Sequence, residues 1–205
     1  MRSRPLIISV IGRQNAGKTT VAAHMITVWT KMGLTVGVLK HDGHAGMSDD
    51  DWEKPGSDTV RMGGAGANLT MVAGGRSTLL RTRNDDSADN PHSLLQRMKI
   101  HAQTVGQPLD VIVVEGFKSA DLPKVLVVAP TDGEWLSHQS LTQVQAVVPS
   151  PLYAADKWTE GARSLLEDML IHDCRSVSFT QKHPTVYHGD NLQDLCESLW
   201  LPYDR

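Results

Sequence analysis

The stretch Gly12-Arg13-Gln14-Asn15-Ala16-Gly17-Lys18-Thr19-Thr20 constrains this chain more than any other. It has the form GxxxxGK[ST], and its chemistry explains each fixed position. Glycines let the loop curl so that successive backbone N–H groups point inward at phosphate oxygens. A helix that follows adds the partial positive charge of its N-terminus. Lys18 is long enough to reach β- and γ-phosphates as a point charge, and the Thr19 hydroxyl is placed to ligate Mg²⁺. The loop has the flanks the motif demands. Leu6 to Ile11 is a short β-branched run ending at Gly12, as a buried parallel strand would. Lys18 to Lys31 carries Val21, Met25, Val28 and Trp29 at helical spacing, with Gly33 as a stop. Thr35 to Leu39 reads as a second strand, which completes a βαβ unit.

Further strands are expected at Leu69–Ala73, Thr78–Arg81, Val111–Val114, Lys124–Ala129 and Val144–Val148. Shorter ones are expected at Val177–Phe179 and Thr185–Tyr187. Helices are expected at Ser57–Ala67, with Ser57 or Asp58 near the start, and at His92–Thr104, Thr159–Ile171 and Leu192–Leu199. This alternation predicts an α/β fold of the P-loop NTPase class, a mainly parallel sheet between helices in three layers, α/β/α. Residues 1–130 form the expected nucleotide-binding core. Residues 131–205 either continue that domain or form an extension.

At 205 residues, 40% of them hydrophobic, the chain can bury a sizeable core without staples. A net charge of −3 gives no basic surplus for nucleic acid or an anionic membrane. Cys174 and Cys196 match no zinc or redox spacing, and reduced thiols fit a cytoplasmic setting. The N-terminal apolar run is shorter than a signal peptide requires and flows into Gly12, so a strand is the better reading. No apolar stretch approaches the ~20 residues of a membrane span.

A triphosphate needs more than its loop. Mg²⁺ takes octahedral oxygen ligands and keeps several waters. Carboxylates at the C-terminal ends of neighbouring strands are the natural supply. Asp42, after the strand Thr35–Leu39, and Glu115, after Val111–Val114, are the candidates, with Thr19 as the third metal ligand. Glu115 holds the metal through water or orients an attacking water, which makes it, with Lys18, a catalytic candidate. Lys40, His41 and His44 sit at a loop entry where they could meet phosphate. No Cys or third His closes a zinc site there. Lys118 follows Glu115 by three residues and is a further phosphate candidate. Phe117 beside it packs under the loop or meets a ligand. The acidic run Asp49–Asp51 reads as a solvated face. Asp58 and Arg61 sit in a helix N-cap pattern or face a ligand.

Read in order, these pieces resemble one family. The phosphate loop is followed by Val38-Leu39-Lys40-His41-Asp42-Gly43-His44, then Lys54-Pro55-Gly56-Ser57-Asp58-Thr59 and Ala65-Gly66-Ala67. Val114-Glu115-Gly116-Phe117-Lys118 and Pro123-Lys124 come last. This order is similar to the MobB family of molybdopterin-guanine dinucleotide biosynthesis accessory proteins, over about Leu6 to Val128. The resemblance implies a homodimeric GTP-binding protein with weak GTP hydrolysis. It also implies assistance to the guanylyltransferase that joins GMP to molybdopterin, with molybdopterin a further ligand. By the same resemblance, Gly12 to Thr20 bind the nucleotide and the Lys40–His44 and Glu115–Lys118 segments lie near it. The family usually has Gly-Lys-Asp-Ser or Gly-Lys-Asp-Thr where this chain reads Gly56-Ser57-Asp58-Thr59. GTP over ATP follows from the resemblance, because no Asn-Lys-x-Asp stands in the chain. Two alternatives remain: a small-molecule kinase with a lid built on Arg76, Arg81 and Arg83, and a non-hydrolysing nucleotide-switch adaptor.

Overall fold

A computed structural model describes residues 4–41, 53–82, 90–153, 177–179, 185–186 and 191–201. Two compact units make up the chain: residues 1–41 with 95–205, and residues 42–94.

The first unit is built on a sheet whose described pairings are all parallel. Its strands are β1 (Leu6–Gly12), β2 (Val36–Lys40), β5 (Val111–Glu115), β6 (Lys124–Val128), β7 (Leu141–Pro149), β8 (Val177–Phe179) and β9 (Thr185–Val186). They run in the order β2-β5-β1-β6-β7-β8, with β9 also on β7. Apart from Glu115 and Lys124 at their ends, β5 and β6 are buried apolar runs, as expected of a parallel sheet covered on both faces.

Alternation along β1 sends its side chains to opposite layers. Leu6, Ile8 and Val10 pack with Val21, Ala22, Met25 and Trp29 of helix α1 (Lys18–Lys31) and with Leu195, Cys196 and Trp200 of helix α5 (Leu192–Trp200). The Trp29 indole N–H donates to the carbonyl of Cys196 at 3.2 Å, so α5 is tied to α1 across 167 residues of sequence. On the other face, Ile112 and Val114 pack under Leu95 of helix α3 (Pro91–Thr104), and Ile11 and Leu126 under Leu136 of the short helix α4 (Gly133–Ser137). The three-layer α/β/α arrangement therefore holds, and β7 and α5 pack within it. Ser9, which interrupts the apolar run of β1, is buried and its hydroxyl donates to the carbonyl of Gly116 at 2.9 Å.

The second unit contains helix α2 (Asp58–Gly64) and the antiparallel hairpin β3 (Leu69–Gly74) with β4 (Ser77–Thr82). Ser57 caps α2, its hydroxyl accepting from the Val60 N–H at 3.4 Å. Glu53 lies 3.3 Å from the guanidinium of Arg81 and accepts from Thr59. Those bonds, Thr59's foremost, hold its carboxyl below the usual range. The helix expected at Thr159–Ile171 lies outside the described residues. Among the described residues, no helix is long and apolar enough to cross a membrane.

Candidate functional site

The phosphate loop owes its path to two close approaches. Gly12 ends β1 in register with Val127 of β6, and a Cβ at Gly12 would lie 2.4 Å from the Val127 carbonyl oxygen. Only glycine fits there. Gly17 caps α1 with φ 87°, in the left-handed region, and a Cβ there would meet Pro151 Cδ at 3.0 Å. Asn15, at φ 60°, is among the few residue types that accept that conformation readily. Arg13, Gln14, Asn15, Thr19 and Thr20 are exposed, Gly17 and Lys18 half-buried, and Ala16 is buried beneath the loop. The first turn of α1 holds no acidic residue of its own.

Lys18 extends back over the loop and its ammonium donates to the Arg13 carbonyl at 2.8 Å. Burial pushes its pKa below the ordinary value. Lys118 and Lys40 add to the shift, and Glu115 and Asp132 oppose it. This is a cation short of counter-charge, which an anion in the loop would supply.

Thr19 and Glu115 come from different elements and meet. The Thr19 hydroxyl lies 2.9 and 3.0 Å from the two carboxylate oxygens of Glu115. Parallel pairing sets this up: Val10↔Glu115 and Lys40↔Glu115 bring the ends of β1, β5 and β2 to one edge. Lys40 Nζ stands 3.8 Å from Glu115 Oε1. The His41 N–H donates to the Glu115 carbonyl at 2.9 Å.

A hydroxyl facing a carboxylate at a phosphate loop is a donor set suited to Mg²⁺. That ion takes one or two protein oxygens and fills its octahedron with phosphate and water. Among the described residues no group of three or more His, Cys, Asp or Glu could hold a metal. Asp42 and His44 lie outside the described residues.

Phe117 packs rather than reaching outward. Its ring lies 4.4 Å from that of His41, in the cluster around Ile112 and Val114. It holds φ 52°, an uncommon and strained conformation for an aromatic residue. Lys118 is exposed, its ammonium 5.3 Å from the centre of the Trp135 ring. Asp58 and Arg61 pair with each other at 3.8 Å on the surface of α2. Arg81 lies in strand β4 and is engaged by Glu53, as a sheet position rather than a kinase lid would have it.

Two contributors lie outside the motifs, and a third, Lys124, stands in one of them without a role assigned to it. Asp132 is buried, accepts from the Ala129 N–H at 2.8 Å and faces the Arg13 guanidinium at 3.8 Å. The Pro130-Thr131-Asp132-Gly133 run is an Asx-turn signal that could have found it. Lys124 is fully buried, and its ammonium donates to the carbonyls of Ala120 and Leu122 at 2.6 and 3.0 Å. It closes the loop that carries Phe117 and Lys118. Ser150–Tyr153, past the end of β7, abuts the phosphate loop, and no sequence motif marks it.

Residues 7–150 match the family described as molybdopterin guanine dinucleotide synthesis protein B. A probable molybdopterin-guanine dinucleotide biosynthesis adapter protein of Bacillus subtilis (strain 168) is 33% identical over 123 residues, 60% of this chain and 65% of that protein. The Escherichia coli (strain K12) adapter protein is 32% identical over 111 residues, 54% of this chain and 58% of that protein. The matched stretch spans less than two thirds of either relative's length. Among solved structures, Bacillus subtilis MobB superposes with a TM-score of 0.64 at 26% identity, covering 95% of this chain and 97% of that one. With a family match that runs from β1 through β7 and a shared fold, the chain belongs to the MobB family.

Proposed function

We propose that the protein is an adapter in molybdopterin guanine dinucleotide biosynthesis that binds GTP with Mg²⁺, hydrolyses it slowly, and assists the guanylyltransferase that joins GMP to molybdopterin. The observation that carries the nucleotide reading is the Thr19–Glu115 contact at 2.9 Å beside a glycine-shaped phosphate loop. The names of relatives 33% and 32% identical to this chain support the pathway.

The residues divide the work. Backbone N–H groups of Gly12–Thr20 and the N-terminus of α1 bind the phosphates. Lys18 trades the Arg13 carbonyl for phosphate oxygens. Thr19 and Glu115 are the protein oxygens that hold Mg²⁺, which when bound offsets phosphate charge. Lys40, His41 and Lys118 stand at the γ-phosphate end. Glu115 carries two tasks here, the metal and the orienting of an attacking water, while it is held by Thr19 and Lys40. Slow turnover follows unless a partner supplies a group.

The homodimer belongs to the same reading. An isolated two-stranded hairpin is marginally stable. Here Met71 with Leu80 on one face and Val72 with Leu79 on the other are all exposed. In residues 53–82 only Gly63 is buried. A second copy supplies the missing cover. Reconstituting the guanylyltransferase reaction with and without this protein tests the adapter role. Stimulation that disappears with Lys18→Ala supports it, and an unchanged rate of dinucleotide formation contradicts it.

A further inference from the structure

We propose that Ser150–Tyr153, the segment following β7, is the wall against which the nucleoside of the bound nucleotide lies, with Leu152 and Tyr153 against the flat face of a purine base. This rests on the phosphate-loop reading and deepens it.

Position is the first argument. A Cβ at Gly17 would meet Pro151 Cδ at 3.0 Å and Leu152 Cγ at 3.2 Å, so the segment is in contact with the loop that holds the phosphates. Direction is the second. Thr19, Glu115 and Lys40 gather on the β5–β2 side of β1, which is where the metal and the γ-phosphate belong. A triphosphate laid across the N-terminus of α1 with its γ end there must carry its nucleoside toward the opposite side, over β6 and β7. Arg13, braced by the buried Asp132 in the turn after β6, stands on that side as well.

Surface chemistry is the third. Leu152 is 58% exposed and Tyr153 37% exposed, an apolar pair beside a cationic loop. Apolar walls with a few polar anchors are what a nucleobase pocket is made of. The segment is also held firmly. The Ser150 N–H donates to the Val128 carbonyl at 2.7 Å, the Tyr153 N–H to the Ser150 carbonyl at 3.3 Å, and the Leu152 N–H to the Ser150 hydroxyl at 3.3 Å. Ser150 itself is buried, which fixes the backbone while leaving the next side chains outside.

The test compares GTP with inorganic tripolyphosphate, which fills the loop but has no nucleoside, on the full chain and on the Leu152→Ala/Tyr153→Ala variant. Both side chains are exposed, so the variant keeps its fold. The expected result is a loss of GTP affinity of about 10-fold or more, in line with the value of base stacking on a side chain, with tripolyphosphate affinity unchanged. Unchanged GTP affinity, or equal losses for both ligands, overturns the inference. So does a wild-type protein that binds tripolyphosphate as tightly as GTP, in which case the phosphate loop stands and the wall does not. Binding of neither ligand overturns the phosphate-loop reading and this inference with it.

Discussion

The hydroxyl of Thr19, in the first turn of α1, donates to the carboxylate of Glu115, at the end of β5, across 96 residues of sequence. The pair brings the phosphate loop and the carboxylate strand to one point, and its chemistry is that of a divalent-ion site shared with a nucleotide.

Substitutions at this pair should act on different quantities. In Thr19→Ala, the gain in triphosphate affinity on adding Mg²⁺ is expected to shrink about 10-fold, some 1.4 kcal/mol. Glu115→Gln is expected to lower hydrolysis more than binding. Calorimetric titration with and without Mg²⁺, beside a phosphate-release assay, separates the two. Equal losses in binding and turnover for Glu115→Gln would assign it to metal positioning alone.

Lys18→Ala is expected to abolish tight triphosphate binding, since a hydrogen bond to a charged group contributes about 1.5–3 kcal/mol. Its only described hydrogen bond in this structure is to a carbonyl within its own loop. Thermal unfolding of the ligand-free variant should therefore match wild type. Retained affinity would sink the assignment of the loop.

Much of this was legible in sequence because it is local. The phosphate loop, its flanking strand and its helix follow from glycine placement and apolar spacing within 30 residues of one another. Less local features were hidden. The strand expected at Val144–Val148 begins at Leu141, because a bulge with Gln143 at φ 56° and a register shift breaks its alternation. Helix α4 spans five residues, too few for a period to show. The reason Gly12 must be glycine is a carbonyl on β6, more than a hundred residues away. Lys124 takes its role from burial, which no spacing announces.

Lys124→Met keeps the stem and removes the charge. Two carbonyls, of Ala120 and Leu122, then lose their donor. Burial already pushes this ammonium below its ordinary pKa, so some desolvation cost is relieved. The unsatisfied carbonyls outweigh it, at about 1–3 kcal/mol each. A net loss of about 2–4 kcal/mol is expected in denaturant unfolding. A variant as stable as wild type would show the loop after β5 to be held otherwise.

Cys196 is buried against Trp29, and burial pushes its thiol up to about 12. In the folded protein it should resist alkylation at neutral pH and react fully in denaturant, which peptide mass mapping reads site by site. The sign of its pH effect follows. The unfolded thiol ionises near 9.0 and the folded one near 12. Above the lower value the unfolded state is favoured by losing its proton, so stability falls as pH rises through that window. Cys196→Ala should lose less stability than wild type between roughly pH 8 and pH 10.5.

The most direct test of the central claim is nucleotide affinity by titration with GTP, ATP and GDP, each with and without Mg²⁺. The account predicts that GTP binds tightest and that its affinity rises with Mg²⁺. Equal binding of ATP and GTP, or preference for ATP, would contradict the GTP reading and return the kinase to consideration; no triphosphate binding at all would contradict the site itself.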